Sequence, residues 1–198
     1  MDFNNLIYKP SSGDQPGRGS LLIAEPLMKE LHFQRSVILL LDSDNEGGHM
    51  GLALNKATSL TLRDLMPDWE NGRDVPVYCG GPVDLQRLFM LHTLGATLPG
   101  SMEVSPGIYV GGDVEAIKDY VDSGGEIEGR LRFFLGYSGW HKDQLAGEIK
   151  RNSWAVNNFP DGSLLLSSEE NDFWRREVEN LGDNYRGWLM MPQEPWLN

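Results

Sequence analysis

The sequence predicts a mixed α+β fold built as one domain. Apolar runs of strand length outnumber the segments with helical periodicity, and tight turns rich in Gly, Pro, Asn and Asp join many of them. No motif recurs at a period of 20–50 residues, which excludes a solenoid or a propeller. A chain of 198 residues with 40% apolar and 23% charged side chains has enough material for one packed core. The expected division is an N-terminal arm over residues 1–18, interrupted by the turn-rich PSSGDQPG run, and a single domain over residues 19–198 that includes a docked C-terminal tail.

Residues 20–24 (SLLIA) and 36–41 (SVILLL) read as buried strands, because both of their faces are apolar. Residues 26–33 connect them as a loop or helical turn. The run DSDNEG at 42–47 imitates the opening of a calcium loop, but its twelfth position is Ala53, where a bidentate carboxylate is required. A hairpin turn is expected there instead, returning into a strand over 50–54 (MGLAL). A helical turn is expected over 61–66, then a strand-to-turn corner over 76–82 (PVYCGGP) and a strand over 87–92 (RLFMLH).

Residues 108–110 lead through Gly111-Gly112 into a helix with Val114, Ile117 and Val121 on its inner face. Asp113 is its N-cap and Gly124-Gly125 its stop. The stretch 132–156 organises the chain: an aromatic strand, a YSGW turn, a short amphipathic helix, and a second strand starting at Trp154. A strand over 163–166 follows. Ser167 and Glu170 then form a capping box for a helix that turns Trp174, Val178 and Leu181 inward and closes at Gly182. Trp188, Met190, Met191 and Trp196 make the tail apolar enough to dock.

Composition narrows the function classes. The net charge is -12, from 29 acidic and 17 basic side chains, and repels nucleic-acid phosphates. No basic stripe overrides it, since Lys150-Arg151 and Arg175-Arg176 sit on helical segments beside glutamates. A single cysteine, Cys79, leaves no intrachain disulfide and fits a reducing compartment. With no signal-peptide pattern and no membrane-length apolar run, a soluble cytoplasmic protein without a membrane partner is expected.

Candidate chemistry is sparse. Cys79 precedes a Gly-Gly-Pro turn and would need His49, His92 or His141 as an activating partner; as a small apolar residue it serves equally well in a core. The four histidines show no helical pairing, and neither HExxH nor CxxC occurs, so no metal site and no cofactor are expected. In GYSGW the second glycine follows Ser138 directly, which breaks the spacing of a nucleophile elbow. The VGGD corner has the strand-to-helix form of a phosphate site, but Asp113 already occupies the positive end of the helix.

The ordered segments GSLLIAEPLM, FQRSVILL, GHMGLALNK, PVYCGGPV, RLFMLH, GIYVGGD and RFFLGYSGWHKDQLAGEI closely resemble the AlgH/YqgE family of bacterial proteins. The resemblance covers about residues 19–182. It implies an α+β fold: a single compact domain with a branched, partly barrel-like, mostly antiparallel sheet flanked by helices. It also implies recurring polar and glycine positions at Arg35, Ser36, Asn55, Gly80, Gly81, Pro82, His92, Gly111, Gly112, Asp113, Gly136, Tyr137, Gly139 and Trp140. One family member is named as a regulator of alginate production genes, but the resemblance brings neither a DNA-binding motif nor a catalytic set. Two departures stand out: Lys142-Asp143 where the family often has Pro-Gly, and Ala57 where it often has proline.

The reading that follows is a non-enzymatic binding or regulatory protein that reaches transcription, if at all, through a partner. Its candidate binding residues are Asn55, Gly80, Gly81, His92, Asp113, Tyr137 and Trp140, and its partner is a protein or a small ligand. The alternative is an enzyme or redox-responsive protein using Cys79 with a nearby histidine. Oligomeric state stays open.

Overall fold

The computed structural model describes residues 15–43, 48–69, 74–158, 160, 165–166 and 170–192. The strand β9 (Leu131–Trp140) is the hub of the sheet. Along one edge it pairs antiparallel with β6 (Val83–His92). Along the other edge it pairs first in parallel with β5 (Pro76–Cys79) and then antiparallel with β3 (His49–Ala53). Two strands sharing one edge make the sheet branch.

From β3 the antiparallel order continues through β2 (Val37–Ser43) and β1 (Leu21–Ala24) to β10 (Trp154–Asn157). From β6 it continues through β8 (Ile108–Gly111) to β7 (Ser101–Ser105), while β4 (Ala57–Thr61) pairs with β5. The sheet curls into a half-barrel and brings β7 against the entry to β1: a Cβ on Gly19 would stand 2.7 Å from the Val104 carbonyl oxygen. The expected branched, partly barrel-like, mostly antiparallel sheet is present.

The apolar runs are double-faced because the sheet is covered on both sides. Leu21 and Ile23 of β1, and Val37, Leu39 and Leu41 of β2, face the main core with Leu52, Phe89, Leu91 and Phe134. Their neighbours Leu22, Ala24, Ile38 and Leu40 face a second core beneath α3 (Gln144–Lys150). A third core on the other limb joins Met90, Leu131 and Phe133 to Ile117 and Val121 of α2 (Val114–Asp122). The period-2 alternation that separates inside from outside therefore assigns each strand residue to one of two cores.

The main core is closed by α4 (Glu170–Asn180), whose Phe173, Trp174 and Val178 are buried, and by α5 (Arg186–Leu189), which buries Trp188. Beyond Gly182 the chain buries Tyr185 and Trp188, whereas Met190 is exposed. None of the helices among the described residues is long and apolar enough to cross a membrane.

Several expectations need correction. The YSGW segment is not a turn: the chain stays extended to Trp140, and Gly136 (φ +68°) bends the strand without ending it. Val114 faces solvent rather than the core and is 49% exposed. Leu165 and Leu166 form a turn rather than a strand. β4 and β7 are absent from the sequence reading, because ATSLT and SMEVS are largely exposed edge strands with weak alternation. α1 (Leu62–Leu65) matches the expected helical turn. The hairpin tip at 44–47, Ser163, Ser167, Trp196 and most of the expected N-terminal arm lie outside the described residues.

Candidate functional site

The seven expected site residues fall in three separate places. The Asn55 side chain completes the ladder beside β2: its Oδ1 accepts from the Val37 N–H at 2.9 Å, and its Nδ2 donates to the Arg35 carbonyl at 2.9 Å. Arg35 has a left-handed backbone (φ 51°), so Asn55 clasps a kink that no regular strand pairing would hold.

Gly80, Gly81, Tyr137 and Trp140 gather around β9, where the chain leaves β5 and passes over β9 to become β6. The Gly80 carbonyl accepts from Ala53 N–H at 2.9 Å and from the Ser138 hydroxyl at 3.0 Å, which ties the branch point together. Above it the Gly81 backbone crosses Tyr137 and Ser138 so closely that a Cβ there would collide with their main chain. The two glycines are required by a backbone crossing, and Ser138 is a buried clamp rather than a nucleophile.

Tyr137 packs edge-on against Phe89 with ring centroids 5.9 Å apart. Trp140 is 5% exposed and belongs to the second core, in contact with Phe33 and Trp154. Both indoles donate to one carboxylate oxygen: Trp140 Nε1 and Trp154 Nε1 each lie 2.8 Å from Glu148 Oε2. In the turn before α3, Asp143 adopts the left-handed conformation (φ 61°), which glycine adopts at lower cost.

His92 and Asp113 lie at the far end of the sheet. Asp113 caps α2 as expected, with its Oδ1 accepting from the Ala116 N–H at 3.0 Å. His92 is fully buried and stacked on Tyr109. Its Nδ1 accepts from the Leu94 N–H at 3.2 Å, and its Nε2 lies 3.0 Å from Ser101 Oγ, which fixes the tautomer with the proton on Nε2.

Burial holds the His92 pKa below the ordinary histidine range, with the Gly111 backbone pulling weakly the other way. Above the ordinary value of about 6.5 the ring is neutral whether the chain is folded or not. As the pH falls, the unfolded chain takes up this proton first, so stability declines until the folded ring also protonates. Urea midpoints measured between pH 7.5 and 5 are expected to fall more steeply for the parent than for His92→Gln, by at most about 1.4 kcal/mol per pH unit. Parallel profiles would show that His92 is not the group responsible.

Cys79 has no hydrogen bond to a histidine among the described residues; its thiol lies 3.6 Å from the Gly81 carbonyl oxygen. Its cationic neighbour is Lys56. Burial lowers the pKa of that lysine, with its proximity to Cys79 acting the other way, while its Nζ donates to the Gln34 carbonyl at 2.5 Å. The histidine partner proposed for a thiol reaction is therefore not found at this position. No group of three or more His, Cys, Asp or Glu side chains suited to a metal ion occurs among the described residues.

Tyr137 and Trp140 border one concavity, with His49 and His141, whereas a second, at the split between β6 and β8, contains none of the seven residues. β6 and β8 pair only at Leu91–Val110 and His92–Tyr109, and beyond these pairs the strands part. β6 also bulges outward: Val83 pairs with Tyr137 and the next register is Leu88–Leu135, so five steps on β6 match two on β9. A cleft of 480 Å³ opens in the gap. Leu88, Phe89 and Met90 border it from β6, Gly111 and Gly112 from the end of β8, and Val114, Ile117 and Lys118 from α2.

Four of the chain's eight methionines, Met50, Met66, Met90 and Met102, line this cleft. The bulge places Arg87 at its mouth, with the guanidinium 4.8 Å above the Phe89 ring and no acidic partner among the described residues. Lys118 is paired with Glu115 at 2.8 Å. The volume lies within the range of small-molecule sites, about 300–1,000 Å³. Methionine side chains suit an adaptable apolar lining, but these four are scattered over more than fifty positions and only the fold collects them.

The fold and its cleft define a curled-sheet α+β protein with a ligand-sized groove at a split in the sheet. The chain belongs to the AlgH-like family, whose model matches residues 21–186. A UPF0301 protein of Parabacteroides distasonis is 42% identical over 97% of both chains, and one of Bacteroides thetaiotaomicron is 39% identical over the full length of both. Among solved structures, a Corynebacterium diphtheriae protein superposes with a TM-score of 0.73 at 21% identity, covering 90% of this chain and 94% of that one. The AlgH protein of Pseudomonas aeruginosa gives 0.68 at 23% identity, covering 90% and 98%. At these identities the structural likeness shows the fold alone.

Proposed function

We propose that the chain is a non-enzymatic, regulatory binding protein whose cleft between β6 and β8 takes a small, mostly apolar molecule carrying one anionic group. The observation that carries this reading is the pairing of an apolar, methionine-rich lining with the Arg87 cation at the mouth. Methionine side chains adapt to varied apolar shapes, and a guanidinium orients a carboxylate, sulfonate or phosphate. The groups best suited to catalysis are committed elsewhere: Asn55, His92, Ser138 and Asp113 each hold backbone or neighbouring side chains in place. The single cysteine favours the reducing cytoplasm as the setting. A net charge of -12 opposes direct contact with DNA, so any influence on transcription passes through a partner.

The dye 1-anilinonaphthalene-8-sulfonate, an aromatic body with one anionic group, is a direct probe. Its fluorescence titration is expected to saturate at one site. Arg87→Gln should weaken it by up to about fivefold, the worth of an exposed ion pair. Val114→Glu places a like charge on the exposed cleft wall and should weaken it further. Absence of saturable binding, or equal binding by the parent and Val114→Glu, overturns the assignment.

A further inference from the structure

The lining of the cleft belongs to two different cores. Leu41, Met50 and Val110 are part of the main core, whereas Met66, Trp69 and Ile117 are part of the third, and all six border the same space. Phe89 faces the first group and its neighbours Leu88 and Met90 face the second, so the two groups lie on opposite faces of β6. The cleft is therefore a slot through the sheet rather than a dish on one of its faces. A slot of that kind has the form of a missing strand, the element whose side chains alternate between the two faces of a sheet.

The backbone beside the slot is arranged for such a strand. Gly80 N–H donates to the Leu135 carbonyl at 2.8 Å, and Thr93 N–H donates to the Arg130 carbonyl at 2.9 Å. The first bond turns Leu135, the partner of Leu88, away from β6, and the second turns Thr93 toward the chain entering β9. By the alternation of an antiparallel ladder, Leu88, Met90 and His92 then direct their own N–H and C=O groups away from β9. His92 meets Tyr109 there, but β8 ends at Gly111 (φ 83°), and among the described residues no strand pairs with Leu88 or Met90 on that edge. Met90 is only 5% exposed, so this open ladder edge lies in a sheltered, apolar place.

The rim points to the kind of occupant. Of the seven large apolar side chains that are exposed among the described residues, Met102 and Val114 border the cleft, and Val83 and Leu85 lie on the β6 bulge that carries Arg87 to its mouth. A polypeptide lying across the mouth covers such a rim, whereas a molecule enclosed in the slot leaves it in water. Arg87, with no acidic partner among the described residues, adds a positive charge at that rim.

From these features we infer that the ligand of the cleft is an extended peptide segment of a partner protein, which adds as a strand to the open edge of β6. Its apolar side chains alternate between the two faces of the slot, and one acidic side chain meets Arg87 at the mouth. The inference rests on the ligand-binding reading of the same cleft and names the class of its ligand. Backbone pairing supplies the affinity and the two apolar faces supply the selectivity, as wherever a peptide completes a sheet.

The probe is a library of fluorescein-labelled, amidated hexapeptides, about the usual strand length, with Glu placed at each position in turn and Val, Leu, Met or Phe at the others. Fluorescence anisotropy with the full-length chain is expected to find saturable binders that displace the sulfonated dye. For the tightest of them, N-methylation of the alternate residues that face β6 should weaken binding at least about tenfold, the worth of two backbone hydrogen bonds, and N-methylation of the intervening residues less than about twofold. Replacing its Glu by Gln should weaken binding to the parent by up to about fivefold and leave binding to Arg87→Gln unchanged. Amide exchange at Leu88 and Met90 should slow on binding by more than at Phe89 and Leu91, whose N–H groups already face β9. Two outcomes overturn the inference and leave the ligand site standing. In one, no library member displaces the dye although the dye saturates; in the other, both N-methylated forms bind equally well, which shows apolar filling without strand pairing. Failure of the dye to saturate overturns the underlying reading and the inference with it.

Discussion

Gly81→Ala is expected to yield no folded protein, whereas Gly107→Ala should fold and lose only about 1 kcal/mol. Both glycines have positive φ, at 154° and 77°. That conformation alone costs a residue with a Cβ roughly 1–3 kcal/mol, and Gly107 has open space around it. At Gly81 the new Cβ would overlap the carbonyl group of Tyr137 and the amide of Ser138, main-chain atoms of the central strand. They cannot move without separating β9 from β3 or β6, whose hydrogen bonds begin at these residues. The combined penalty exceeds about 4 kcal/mol, a large share of the ~5–15 kcal/mol stability of an ordinary domain. Soluble yield and urea denaturation of the two variants provide the comparison. A cooperative Gly81→Ala transition within about 1 kcal/mol of Gly107→Ala would refute the crossing as the reason for the glycine pair.

That crossing also explains how far the sequence could be read. β1 and β2 were legible because SLLIA and SVILLL have two apolar faces, and the sheet is buried on both sides there. The Asp113 cap and the inward Ile117 and Val121 were legible because helix signals are local. The GYSGW segment misled because glycine ordinarily marks turns, whereas Gly136 here lets an extended strand bend beneath a second backbone. Nothing within the segment distinguishes those uses; the distinction lies in Gly80 and Gly81, more than fifty positions away.

The site was harder to read than the fold for a related reason. Recurring polar residues suggested recognition, but Asn55, His92 and Asp113 each satisfy local backbone groups, a demand the fold makes of any sequence adopting it. The cleft draws on residues with no local signature. Arg87 is an ordinary strand residue in sequence, and its exposure follows from the register slip between Val83 and Leu88, while Val114 looks like the first inward residue of its helix. A gap between two strands depends on which strands fail to pair, and that is a property of topology rather than of any motif.

Glu148→Ala is expected to destabilise the protein by about 2–4 kcal/mol, with Glu148→Gln losing less than half as much. One carboxylate oxygen accepts from two indoles at 2.8 Å, and the Gln144 side chain donates to the other oxygen at 3.0 Å. Trp140 and Trp154 are 5% and 2% exposed, so removing their acceptor leaves two buried N–H groups to desolvate, at about 1–3 kcal/mol each. Glu148 is itself half-buried, and water reaching the vacated space offsets part of that loss, which sets the range below the full sum. Glutamine retains a carbonyl oxygen for the indoles but not the charge that strengthens both bonds. The readouts are the urea midpoint and the tryptophan emission maximum, which should shift to the red in the alanine variant as water reaches the indoles. An alanine variant within about 0.5 kcal/mol of the parent would show that stacking among Phe33, Trp140 and Trp154 holds this corner without the carboxylate. Because Trp140 is the last residue of β9 and β10 pairs with β1 at the end of the strand order, the expected loss is local first: β10 and α3 should release from the sheet before β6 and β9, and amide exchange at Ala155 and Val156 should accelerate ahead of exchange at Phe133 and Phe134.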